Sequence, residues 1–164
     1  MAFKRYSKEG RKIEEKGDKK DIGLIKAALR QEIEAERRYA KHLANVNNKR
    51  VRKVLKELHK AEGEHNNRLI GEMKKRMPSF NPEKNELWNM EMNPEMLEGI
   101  GDNVELIKTI IEINIEKEKE ALKQYKGYAR EADSDELKQL FLEFSKEEDE
   151  HRQKLYELDK EFSE

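Results

Sequence analysis

Glu62-Gly63-Glu64-His65 and Glu148-Asp149-Glu150-His151 each place a carboxylate three residues before an imidazole. Positions i and i+3 share a face of an α-helix, so each pair can hold one metal ion. Each pair has a further glutamate 30 residues upstream, Glu32 for the first and Glu118 for the second, and the two sets lie 86 residues apart. A lone Glu-x-x-His means little in a chain this rich in glutamate. Two of them, each with a glutamate at the same offset and a tyrosine (Tyr39, Tyr125) 26 residues before the histidine, are far more specific. Four carboxylates buried at one level without cations or protons would be prohibitive, because each loses several kcal/mol of solvation. Two divalent ions carry the charge that balances them. The competing reading is a metal-free bundle built from the same helices.

These residues sit in long helical stripes. The first runs through Ile25, Leu29, Glu32, Ala35, Tyr39, Leu43 and Val46, and the second through Val51, Val54, Leu58, Glu62, His65, Leu69 and Met73. The third holds Val104, Ile107, Ile111, Asn114, Glu118, Ala121, Tyr125 and Ala129, and the fourth Leu137, Leu140, Phe144, Glu148, His151, Leu155, Leu158 and Phe162. Steps of three and four mark one helical face, and no segment alternates with a period of two. Residues 32–69 align with 118–155 without a gap, which reads as a duplicated helical hairpin. Asn47-Asn48 and Asp133-Ser134 mark the two tight turns, and each ligand glutamate lies 15 residues from the first residue of its turn pair, before or after. At about 1.5 Å per residue all four therefore meet at one height, about 22 Å from the turns. Asp102 with Glu105, and Asp133 with Glu136, are expected to form capping boxes.

Residues 77–102 break the periodicity with Pro78, Pro82, Pro94, Gly99 and Gly101. A linker of this length reaches at most about 86 Å, ample to return along a helix of about 39 Å. The expected fold is all-α, a ferritin-like four-helix bundle of two duplicated hairpins joined by one long crossover, spanning residues 21–164. Residues 1–20 carry eight Lys/Arg against four Asp/Glu and no sustained apolar stripe, which predicts a basic, flexible arm.

Composition narrows the chemistry further. Charged residues make up 43% of the 164, yet the net charge is only −1, so nothing drives the chain globally toward nucleic acid or membrane. It has no cysteine, which excludes disulfides, iron–sulfur clusters and thiolate metal sites. Any metal must sit on oxygen and nitrogen ligands. With no apolar span and no apolar signal region, a cytoplasmic protein is expected.

At these residues the chain resembles the rubrerythrin branch of the ferritin-like superfamily. Glu32-Ile33-Glu34-Ala35-Glu36-Arg37-Arg38-Tyr39 matches that family's Glu, Ala three later and Tyr seven later, and the two Glu-x-x-His motifs match as well. The resemblance covers roughly residues 21–160. It implies Glu32 and Glu118 as terminal ligands, Glu62 and Glu148 as bridges, and His65 and His151 each capping one metal. It places Tyr39 and Tyr125 in hydrogen bonds to ligand carboxylates, with ordinary core aromatics as the alternative. Asn114 reads as a satisfied core asparagine more readily than as a lining of the oxidant pocket, and His42 and His59 read as non-ligands. Glu34, Glu36, Glu64, Glu120 and Glu150 are expected to be solvated charges on other faces.

The resemblance further implies two iron ions, with manganese or zinc compatible, and reduction of hydrogen peroxide in defence against oxidative stress. Ferroxidase activity with dioxygen, iron storage, or a structural metal bundle without turnover are the other readings. Two departures bear on this choice. Rubrerythrins usually carry a rubredoxin-like domain with four cysteines, which this sequence lacks, so electrons would come from a separate rubredoxin-like donor. Many also have an additional glutamate one turn beyond the third-helix ligand, where this chain has Ala121. A homodimer is expected, with exchange of hairpins between chains as an option.

Overall fold

The computed structural model describes the backbone of residues 2–82 and 103–163, and the side chains of residues 19–82 and 103–163. It contains four helices: α1 (Ala2–Asn45), α2 (Lys49–Arg76), α3 (Val104–Glu131) and α4 (Asp135–Glu161). Among the described residues there is no strand. α1 packs closely on α2 and α3 on α4, giving the four-helix bundle of two hairpins that the apolar stripes require. The segment expected as an arm, residues 1–20, is helical from Ala2 onward and continuous with the rest of α1. Its lysines and glutamates are good helix formers, and no proline interrupts them. Most of the expected crossover, residues 83–102, lies outside the described residues.

The starts of α2, α3 and α4 are each capped by a side chain. Asn48 caps α2 by accepting from Val51 N at 3.1 Å. Asn103 caps α3, accepting from Glu105 N at 2.9 Å, so the cap is one residue later than the Asp102 box predicted. Ser134 likewise caps α4 through Leu137 N at 3.2 Å, again one residue past the predicted Asp133. The turn before α4 also carries a tertiary contact. Asp21, on α1, accepts from the backbone N–H of Asp133 (2.9 Å) and of Ser134 (3.1 Å). A residue from the first hairpin thus holds the turn of the second, and Asp133 is left on the outside of the turn.

The buried apolar residues form two clusters at opposite ends of the bundle. One gathers Leu24, Ile25 and Leu29 with Leu69, Met73, Phe80, Ala132, Leu137 and Phe141. The other gathers Val46, Val51, Val54 and Leu55 with Ile107, Ile111, Leu155 and Leu158. The turn between α3 and α4 therefore meets the open end of the first hairpin, and the turn between α1 and α2 meets the open end of the second. α2 ends in the first cluster and α3 begins in the second. Among the described residues no helix is long and apolar enough to cross a membrane.

Candidate metal centre

Between the two apolar clusters lies a polar layer. Glu32, Glu62, Glu118 and Glu148 are each only 1% exposed, and His65 and His151 are buried beside them. The helical register brings them together: Glu32 from α1, Glu62 and His65 from α2, Glu118 from α3, Glu148 and His151 from α4. Their ligand atoms fall into two overlapping groups, Glu32–Glu62–His65–Glu148 and Glu62–Glu118–Glu148–His151, and within each group those atoms lie within 4.8 Å of one another. Glu62 and Glu148 belong to both groups, the positions that the resemblance assigns to bridging ligands.

The imidazoles address the opposite hairpin. His65 Nδ1 lies 3.1 Å from Glu148 Oε1, and His151 Nδ1 lies 3.1 Å from Glu62 Oε1. The carboxylates are steadied in the same crossed fashion. Tyr39 on α1 donates to Glu118 Oε1 on α3 at 2.5 Å, and Tyr125 on α3 donates to Glu32 Oε1 on α1. Both hydroxyls are fully buried, and burial together with the facing carboxylate raises each phenol well above its ordinary range.

Atoms left over after these bonds point to a cation. Glu32 Oε2, Glu62 Oε1, Glu118 Oε2, Glu148 Oε1 and His151 Nδ1 are buried without a well-directed hydrogen bond, the 3.1 Å approaches of the imidazoles notwithstanding. An unsatisfied buried polar atom costs about 1–3 kcal/mol, and five in one layer call for a shared partner. With no metal bound, burial raises Glu62 well above the ordinary carboxylate range, reinforced by Glu32 and Glu118. Burial does the same for Glu148, reinforced by Glu62 and Glu118. His65 is lowered by burial, but hydrogen bonds to Glu147 and Glu32 outweigh this and lift it to about 10. The layer is one that holds protons when it does not hold cations. Oxygen and imidazole donors without thiolate suit iron, manganese or zinc.

A cavity of about 300 Å³ connects this layer with the gap between α1 and α3. Its inner wall includes Glu32, Glu62, Glu118 and Glu148, while Ala35 and Ala121, equivalent in the repeat, also line it. Arg38, Lys117, Glu34 and Glu120 line it further out.

Other residues singled out in the sequence fall elsewhere. Asn114 is fully buried and saturated: its Oδ1 accepts from Arg38 Nε (2.8 Å), and its amide donates to Ile110 O (2.8 Å) and His42 Nδ1 (3.0 Å). It does not line the cavity. His42 belongs to that network, and His59 lies 3.9 Å from Glu36. Neither belongs to the metal-ligating groups. Glu34, Glu64, Glu120 and Glu150 are exposed, but Glu36 is half-buried and accepts from Asn66 Nδ2 at 2.8 Å.

One neighbour of the centre escapes the sequence reading. Glu147 on α4 accepts from His65 Nε2 at 2.6 Å. The repeat that exposes the ligands hides it, because the position 86 residues earlier is Ala61.

The family model described as Rubrerythrin matches residues 4–87 and 109–164. No curated protein and no solved structure matches the chain.

Proposed function

We propose, for a chain that belongs to the rubrerythrin family, the activity of a non-haem di-iron oxidoreductase that reduces hydrogen peroxide. The observation that carries this is the pair of buried ligand groups sharing Glu62 and Glu148. Glu32 and His65 would hold one ion, Glu118 and His151 the other, and Glu62 and Glu148 both. Two ferrous ions bound there would supply the two electrons that, with two protons, convert hydrogen peroxide to two molecules of water.

The chain's own residues do the rest. The Tyr39 and Tyr125 hydroxyls each tie down one oxygen of Glu118 and Glu32, which leaves the second oxygen of each carboxylate for a metal. Glu62 and Glu148 surrender their protons when cations enter, so loading keeps the layer near neutrality. The apolar clusters above and below exclude bulk water. The cavity beside Ala35 and Ala121, about 300 Å³, has room for hydrogen peroxide next to the carboxylates. Electrons return from a rubredoxin-like donor outside these 164 residues, which hold no cysteine for a rubredoxin-type iron.

Ala121 favours a second reading. A family glutamate is replaced there by a methyl group on the cavity wall, which leaves a six-ligand centre suited to ferroxidase activity with dioxygen or to iron buffering. Anaerobic loading with Fe(II), followed by hydrogen peroxide in one sample and air-level oxygen in another, separates the two. Much faster oxidation by peroxide, saturating at two irons per chain, supports the peroxidase. Faster reaction with oxygen that continues with excess iron replaces it with ferroxidase and storage.

A further inference from the structure

The two halves of the metal layer are built from equivalent backbone positions but not from equivalent surroundings. His65 lies against α4, which presents Phe144, Glu147 and Glu148 to it. The Phe144 ring stacks on the imidazole with centroids 4.1 Å apart. Glu147 Oε2 takes the Nε2 proton at 2.6 Å, leaving Nδ1 facing the carboxylates. Arg68 closes the arrangement: its guanidinium lies 4.9 Å from the Phe144 ring and 3.9 Å from Glu147. The equivalent positions on α2, near His151, are Leu58, Ala61 and Glu62. An aliphatic side chain and a methyl group replace the stacked ring and the carboxylate. Every ion pair of His151 among the described residues is made through Nδ1.

A carboxylate that accepts the non-ligating N–H of a histidine fixes its tautomer and ring angle and makes the other nitrogen a stronger donor. Glu147 could instead be a half-exposed charge that happens to lie nearby. Against that, its contact is short and is made to a ring that is almost completely buried, while Arg68 has Glu143 as its nearer partner. We infer that Glu147 is a positioning residue that makes the two metal positions unequal. The ion held by Glu32 and His65 binds first and more tightly than the ion held by Glu118 and His151. The inference rests on the metal centre proposed above, but not on its reaction.

Co(II), followed by its visible absorption and by calorimetry, tests it without redox turnover. In the unaltered chain the titration resolves two steps. His151→Ala, which keeps the buttressed half, binds its ion about 10–100-fold more tightly than His65→Ala, the usual span for an outer hydrogen-bond partner. Adding Glu147→Ala removes that advantage, while in the His65→Ala background it changes nothing. Glu147→Gln, which keeps an acceptor without the charge, restores part of the loss. Ala61→Glu in the His65→Ala background tightens the weaker half. Metal-free melting curves for each protein show whether the fold is retained, and Glu147→Gln alone shows the effect without touching a ligand. Equal affinities in the two single-histidine proteins, or an equal weakening of both by Glu147→Ala, would overturn the inference. Absence of Co(II) binding in the unaltered chain would overturn the metal centre with it. Unequal Co(II) sites in a protein inert to peroxide would leave the inference standing and remove only the peroxidase.

Discussion

Tyr39 and Tyr125 each lend a fully buried hydroxyl to a carboxylate of the other hairpin. Tyr39→Phe leaves Glu118 Oε1 buried without its donor while the ring still fills its space. The metal-free protein should lose about 1–3 kcal/mol, read from urea unfolding, and Tyr125→Phe should do the same through Glu32. A loss well below this range would mean the hydroxyls only fill space. At this scale the sequence spoke clearly wherever the repeat spoke twice. Glu32, Glu62, His65 and their three counterparts recur at one offset, and recurrence distinguishes them from the many other glutamates. Glu147 occurs on one side only, and nothing in the local sequence marks it apart from Glu143 or Glu150. Its partner lies 82 residues away, a distance that only the folded chain closes.

At the level of helices, stripes and turns were readable because apolar spacing is local information. The caps were readable only to within a residue. Asn, Ser and Asp accept hydrogen bonds from a helix start almost equally well, so Asp133-Ser134 offers two candidates and local chemistry cannot choose between them. Asp21, from a different hairpin, holds that turn by accepting from the N–H groups of both residues. Asp21→Ala should therefore destabilise the bundle by about 0.5–2 kcal/mol, as loss of a cap does. The same substitution should accelerate amide exchange at the start of α4 before it does so elsewhere, which hydrogen-exchange mass spectrometry would detect. A uniform change across α1 to α4 would argue against a capping role. Gly71 offers the opposite experiment. It lies within α2, is exposed, and has nothing within 4 Å of where a Cβ would stand. Gly71→Ala should stabilise the protein by about 0.5–1 kcal/mol in the same urea assay.

Across the whole molecule, two apolar clusters are separated by a layer that changes partners with pH. Glu62 and Glu148 are raised well above their ordinary 4.5 when no cation is present, and His65 is raised from 6.5 to about 10. A folded-state pKa above the unfolded one contributes stability fully below the unfolded value and loses it as pH rises through the folded value. Glu62 and Glu148 therefore weaken the metal-free protein as pH climbs above about 4.5, and His65 does so between about 6.5 and about 10. Glu147 is lowered chiefly by its hydrogen bond to His65, so its contribution is lost only as pH falls below the ordinary carboxylate range, outside that window. Cations compete with the same protons and gain as pH rises. The increase in melting temperature produced by Mn(II) should be larger at pH 8 than at pH 5.5, and a chelator should abolish it at both. An increment independent of pH would mean the added ion binds outside this layer. The crossed Tyr39–Glu118 and Tyr125–Glu32 bonds bear also on descent. Each hairpin contributes to its neighbour what it receives from it, so one hairpin paired with an identical copy would assemble four glutamates, two histidines and both tyrosine bonds. A chain half this length could supply the full set of ligands as a dimer, and two copies joined in one chain can differ where identical copies cannot, as Glu147 and Ala61 do.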